Sequence, residues 1–129
     1  MNPLIKKYYL EENYNCAETI LLLAKDEYNL PINSDNVKIM SGFGGGMYEE
    51  DVCGIVTGGI AVLSLIYQTD MLKEAVIEFR KNIKLSLSSL TCKEIKPILR
   101  DEIIRCNNVI EKAFIILKEV INNKEKARI

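Results

Sequence analysis

Residues 52–69 read VCGIVTGGIAVLSLIYQT, an uncharged stretch of 18 residues in a chain of 129. Its length reaches the lower limit for a membrane-spanning helix. Its glycines and hydroxyl side chains, the acidic run at 49–51 and Asp70 favour burial inside a globular protein instead. The stretch therefore predicts the central buried helix of a bundle, capped by Asp51 and ending near Tyr67.

The remaining sequence is helical in pattern almost throughout, without the alternation typical of strands. We expect an all-α, single-domain bundle (residues 1–129) of about five helices, with a glycine-rich loop before the central one. The main helices are predicted over 2–12, 15–28, 51–67, 70–86 and 97–122, and a short one over 35–40. The tail from about residue 123 is expected to fray. The last helix is predicted to begin at Pro97, since proline suits a first turn.

The composition excludes several classes of function. The net charge is -1 and the basic residues are dispersed, so binding to nucleic acid is not expected. The chain contains no histidine, which excludes Ser-His and Cys-His pairs and imidazole metal ligands. By elimination, the four cysteines are the leading candidates for chemistry. Residues 1–10 contain no apolar run typical of a signal peptide, which predicts a reducing, cytoplasmic location.

Three of the four cysteines are predicted to lie in the first turn of a helix. Cys16 follows the cap Asn15, Cys53 follows Asp51 by two positions, and Cys92 follows Thr91. Unpaired N–H groups at a helix start stabilise a thiolate and lower its pKa, although the acidic run at 49–51 opposes this at Cys53. Cys106 is predicted to lie within the last helix, on an apolar stripe where burial favours the neutral thiol. The stripe comprises Leu99, Ile103, Cys106, Ile110, Ala113, Leu117 and Val120.

The spacing of the cysteines leaves several kinds of site open. No C-x-x-C motif occurs, which excludes a thioredoxin-type motif and a standard zinc ribbon. The four thiols could form two disulfides, one disulfide and two free thiols, or a four-thiolate site for zinc or an iron–sulfur cluster. Alternatively, they could only fill space in the core.

The glycines predict close approaches of the backbone. Residues 42–46, GFGGG, could form an anion-binding nest, but a tight turn is favoured because the lysine of a phosphate-binding loop is missing. Gly54 and Gly58 lie on one helix face and favour close helix packing, within the bundle or in a homodimer.

These cysteines and glycines together resemble a family of small redox-active proteins named after four cysteines and a C-G-A-x-x-G motif, the C_GCAxxG_C_C family. The matching stretches are NCAE at 15–18, SGFGGGM at 41–47, VCGIVTG at 52–58 and CKEI at 92–95, with Cys106 completing the set. Ile55 stands where the family has alanine. The resemblance implies redox activity and an association with a transporter, but no substrate.

Our hypothesis is a thiol redox protein, a thiol-disulfide oxidoreductase, that works with an unknown redox partner. Cys16 or Cys53 would attack an oxidised sulfur, and a second cysteine would resolve the mixed disulfide. Cys16 is paired with Cys53, and Cys92 with Cys106, on the expectation that the first two start buried helices. A four-cysteine metal or iron–sulfur module and a non-catalytic interaction protein are the alternatives.

Overall fold

The computed structural model describes residues 2–128 of the chain, which fold into seven α-helices without a β-sheet. The all-α class predicted from the sequence is confirmed. The helices are α1 (Pro3–Ile5), α2 (Cys16–Tyr28), α3 (Ser34–Ile39), α4 (Gly54–Ile66), α5 (Thr69–Leu87), α6 (Cys92–Leu99) and α7 (Asn107–Arg128). A π-helical segment, Lys6–Glu11, extends α1, and a 3₁₀ turn, Met40–Phe43, follows α3.

The uncharged stretch forms the centre of the bundle, as predicted. Helix α4 packs against α2, α5 and α7, and its Ile55, Val56, Val62 and Leu63 are almost completely buried. Its N-cap is Cys53 and not the predicted Asp51. Within residues 2–128, no helix combines the length and apolar content needed to cross a membrane.

Local sequence signals place most of the other helix ends. Asn13 and Asn29 adopt left-handed conformations after the first two helical segments, and Asn15 forms a capping box with Glu18. Helix α3 is capped by Asn33, which forms a capping box with Asn36. Thr91, the N-cap of α6, does not cap the helix with its side chain, and its hydroxyl donates instead to the Glu94 carboxylate at 3.1 Å.

The end of the chain differs most from the prediction. Pro97 lies inside the short helix α6, and the last helix begins ten residues later, at Asn107. Ile103, expected on the buried stripe, is 86% exposed. Helix α7 continues to Arg128, so the tail from residue 123 belongs to the last helix, and its fraying stays a prediction.

The glycine loop has an unusual backbone. Gly45, Gly46, Met47 and Tyr48 are all left-handed, with φ between 57° and 65°. At Gly46 a Cβ atom would lie 2.5 Å from the backbone nitrogen of Asp51, so only glycine fits this turn. The loop is thus a tight turn, as favoured from the sequence, and it brings the chain back toward the start of α4.

Candidate active site

All four cysteines lie where an α-helix begins. Cys16 and Cys92 are the first residues of α2 and α6, and Cys53 is the N-cap of α4. These three placements agree with the prediction. Cys106 immediately precedes α7, and its carbonyl oxygen accepts a hydrogen bond from the N–H of Ile110 at 3.0 Å. The prediction that Cys106 lies within a helix is therefore wrong.

A turn over residues 101–105 explains the error at Cys106. The N–H of Asp101 donates to the carbonyl oxygen of Arg105 at 2.9 Å. The Asp101 carboxylate accepts hydrogen bonds from the N–H groups of Ile103 and Ile104 at 2.7 and 3.0 Å, and these bonds lower the pKa of Asp101. Such local bonds compete with a helix, so the chain turns before Cys106.

Cys53 and Cys92 are brought together by a short antiparallel contact. Val52 and Thr91 form an isolated β-bridge. The N–H of Cys53 donates to the Leu90 carbonyl at 2.8 Å, and the N–H of Cys92 donates to the Asp51 carbonyl at 2.7 Å. Because each cysteine directly follows a bridge residue, both lie on the same side of this contact, diagonally opposite each other.

Cys16 joins this pair through the close packing of α2 on α4. A Cβ atom on Gly54 would lie 3.2 Å from the Cβ of Cys16 and 3.0 Å from the nitrogen of Ala17. On Gly58 it would lie 2.8 Å from the Ala17 carbonyl oxygen. The two glycines therefore act within the bundle and let the start of α2 lie against the start of α4.

Tyr9 and Arg105 fix the position of Cys106 through hydrogen bonds. The backbone N–H of Cys106 donates to the Tyr9 hydroxyl at 3.2 Å. Arg105 donates to the Tyr9 carbonyl oxygen at 2.9 Å, and its guanidinium lies 4.6 Å from the centre of the Tyr9 ring. The phenol is thus fixed beside the Cys106 thiol.

The four cysteines line one cavity of about 220 Å³. Three glycines form part of its wall, Gly45, Gly46 and Gly54. The cysteine residues are free, three of them buried and Cys16 partly exposed. The side chains that share the lining are those of Tyr9, Asn13, Tyr14, Asn15, Lys96, Arg100 and Arg105. Folding therefore joins four thiols that are far apart in sequence.

The pKa values of the thiols differ from those expected for helix starts. The hydrogen bond to Cys106, followed by burial, raises the pKa of Cys16 well above its ordinary value. Burial raises the pKa of Cys53 to about 12 and also raises that of Cys92. Desolvation of a charged group outweighs the helix terminus at Cys53 and Cys92.

Cys106 is the exception, because its pKa is lowered to about 6. The hydrogen bond from the Cys16 side chain is the largest cause, and the Tyr9 hydroxyl, Arg100 and Lys96 lower the pKa further, against the effect of burial. Cys106, which the sequence predicted to be a neutral thiol, is therefore the cysteine whose pKa is shifted toward the thiolate. The same interaction that lowers its pKa raises that of Cys16.

A metal site receives no geometric support. Among residues 2–128, no three cysteine, aspartate or glutamate side chains are arranged so that they could hold a metal ion. Thiolates are the ligands for zinc and iron–sulfur clusters. The four-thiolate site for zinc or an iron–sulfur cluster stays a prediction from the sequence.

Four residues of this site were missed by sequence reasoning. Lys96 follows Cys92 by four positions on one helix, a spacing that could have indicated it. Tyr9, Arg100 and Arg105 carry no comparable signal, because their roles depend on contacts across the bundle and on the unforeseen turn before Cys106.

Comparison with known proteins identifies a family. A family model described as "Putative redox-active protein (C_GCAxxG_C_C)" matches residues 14–120, a span that includes all four cysteines. No curated protein and no solved structure matches the chain.

Proposed function

Because the chain belongs to the C_GCAxxG_C_C family, we propose that it is a thiol-disulfide oxidoreductase in which Cys106 attacks and Cys16 resolves. The observation that carries this proposal is the contact between these two thiols, which lowers the pKa of one and raises that of the other. A pair with one thiolate and one protonated thiol suits the two steps of exchange.

The reaction begins at Cys106 with a small-molecule disulfide, RSSR. The Cys106 thiolate forms a bond to one sulfur, and the S–S bond of the substrate breaks to release RS⁻. Cys16 then loses its proton to a released RS⁻ and attacks the Cys106 sulfur, which expels the second RS⁻. The substrate gains two electrons, the two cysteines lose two, and a Cys16–Cys106 disulfide remains.

This assignment replaces the pairing expected from the sequence. Desolvation raises the pKa of both the Cys53 and the Cys92 thiol, so neither is suited to begin the exchange. Their diagonal placement across the Val52–Thr91 bridge makes them a second pair that lines the same cavity. We expect them to be dispensable for the first turnover.

A single turnover with bis(2-hydroxyethyl) disulfide tests the proposal. Reduced protein should release two thiols per chain and acquire one disulfide. The four cysteines fall on four different tryptic peptides, 8–25, 39–73, 85–93 and 106–112, so mass spectrometry identifies the linked pair directly. We expect 8–25 linked to 106–112.

Matched serine variants separate the roles. Cys106→Ser should abolish thiol release at pH 7. Cys16→Ser should release only one thiol and leave the other bound to Cys106. Cys53→Ser and Cys92→Ser should behave like the parent protein. A disulfide on any other pair, or stoichiometric zinc or iron in the purified protein, would contradict the assignment.

A further inference from the structure

The cysteine cavity is surrounded by positive charge. Lys96, Arg100 and Arg105 all line it, and among the described residues none that lines it is acidic. The whole chain has a net charge of -1, so this concentration of cations is local and does not reflect the composition.

The three cations differ in how far they are already engaged. Arg105 is held by the Tyr9 carbonyl and by the Asn13 side chain, at 2.9 and 3.3 Å. Lys96 forms a salt bridge of 3.7 Å with Glu50, whose side chain is 55% exposed. An exposed pair of this kind is weak, so Lys96 retains most of its attraction for other anions.

Arg100 is the least engaged of the three. Within residues 2–128 its guanidinium forms no hydrogen bond and no salt bridge, and its electrostatic effect is on the Cys106 thiol. A guanidinium presents several donors in a plane that matches a carboxylate. Arg100 therefore offers an unoccupied docking group beside the reactive sulfur.

The size of the cavity limits what can enter it. Its volume of about 220 Å³ lies below the roughly 300–1,000 Å³ of pockets for drug-sized molecules. A cavity of this size favours a small aliphatic disulfide over a larger ligand. The charges and the size together define a class of substrate.

We propose that the cavity selects small disulfides that carry carboxylates near the S–S bond over neutral and cationic ones. This inference rests on the proposed function, because it names the substrate class of the same cysteines. Arg100 and Lys96 would bind the carboxylate, and Cys106 would attack the adjacent sulfur as described above. This attraction between charges increases the rate at which an anionic disulfide reaches the cavity, and it also stabilises the bound complex.

Three symmetric disulfides with the same two-carbon spacer test this selection. They are 3,3′-dithiodipropionate, bis(2-hydroxyethyl) disulfide and cystamine, which are anionic, neutral and cationic. Their single-turnover rates are divided by the rates with 2-mercaptoethanol, which removes differences in intrinsic reactivity. At low ionic strength we expect the anion to react about tenfold faster than the cation, a preference that shrinks in high salt.

Charge-removing variants locate the effect. In Lys96→Gln/Arg100→Gln the ratio of the anionic to the neutral rate should fall several-fold. The ratio is the useful quantity, because these cations also lower the pKa of Cys106 and their loss slows every substrate. Arg80→Gln/Lys84→Gln, which removes the same charge from the exposed face of α5, should leave the ratio unchanged.

The outcomes distinguish this inference from the proposed function. Equal normalised rates for the three disulfides would overturn the selection and leave the exchange chemistry intact. If no disulfide reacted, the proposed thiol-disulfide exchange would be wrong. Binding of dithiodipropionate to the Cys106→Ser variant would then test whether the cavity prefers anionic disulfides. Saturable amide shifts at Gly45 and Gly46 in NMR spectra, absent with cystamine, would support it, and their absence would overturn it.

Discussion

The hydroxyl group of Tyr9 lies 3.2 Å from the backbone nitrogen of Cys106, although the two residues are 97 positions apart. Tyr9 accepts a hydrogen bond from this N–H, and its own hydroxyl stabilises the Cys106 thiolate. A buried phenol therefore connects the first helical segment to the start of the last helix at Cys106.

Tyr9→Phe should raise the pKa of Cys106. The variant removes one hydrogen bond to the thiolate, a loss worth about one pKa unit. The pH dependence of iodoacetamide labelling on peptide 106–112, read by mass spectrometry, measures the shift. Tyr14→Phe is the control, because Tyr14 lines the cavity without a hydrogen bond to Cys106. An unchanged pH profile in Tyr9→Phe would show that the Tyr9 hydroxyl does not lower the pKa of Cys106.

The free energy of unfolding should increase with pH between about 6 and 9. The pKa of Cys106 is about 6 in the folded protein and 9.0 ordinarily, so the unfolded chain binds more protons in this window. This stabilisation is lost as the pH falls through 6. Above pH 9 the raised pKa values of Cys53 and Tyr9 act in the opposite sense, since folding then hinders their ionisation.

Urea unfolding of the parent protein and of Cys106→Ser across this range measures the linkage. The chain contains no histidine, so no imidazole titrates there. The variant should lose the increase between pH 6 and 9. An identical increase in both proteins would assign the effect to another group.

Gly58→Ala should destabilise the bundle. Alanine gains about 1 kcal/mol in helix propensity over glycine. Its Cβ, however, would lie 2.8 Å from the carbonyl oxygen and 3.0 Å from the Cα of Ala17, and backbone atoms cannot move aside easily. We expect a net loss of about 1–3 kcal/mol in thermal or urea unfolding. Gly42→Ala is the control, with no atom within 4 Å of the added methyl group. Equal free energies of unfolding for Gly58→Ala and the parent protein would mean that α2 and α4 can move apart without loss of stability.

Thr19→Val should stabilise the protein by about 1 kcal/mol. Thr19 is completely buried, and its hydroxyl has no hydrogen-bond partner within residues 2–128. Valine has the same shape and removes the unsatisfied group. Thr57→Val is the matched control, since the Thr57 hydroxyl donates to the Gly54 carbonyl at 3.3 Å and its loss should not stabilise. Destabilisation by Thr19→Val in urea unfolding would indicate a buried water at this hydroxyl.

Much of the fold is predictable because its signals are local. The capping box of Asn15 and Glu18 requires residues only three positions apart. The uncharged run before Tyr67 is apolar enough that its burial in the core is expected from composition alone. The last helix shows the limit of such reasoning. Pro97 and an apolar repeat predicted its start, but hydrogen bonds at Asp101 prevail over that repeat.

The candidate site was predictable in its members but not in its chemistry. The positions of Cys16, Cys53 and Cys92 at helix starts follow from neighbouring residues. The order of their pKa values does not, because burial depends on what the other helices cover. Cys106 has a lowered pKa only because Cys16, Tyr9 and Arg100 approach it in the folded chain.

The sequence alone determined the helical class, the central helix and the four thiols, since each is set by residue type and by spacing within a few turns. The tertiary structure alone decided which groups surround each thiol and in which direction they shift its pKa. Ionisation depends on desolvation and on charges a few ångströms away, and folding brings these together from distant parts of the chain.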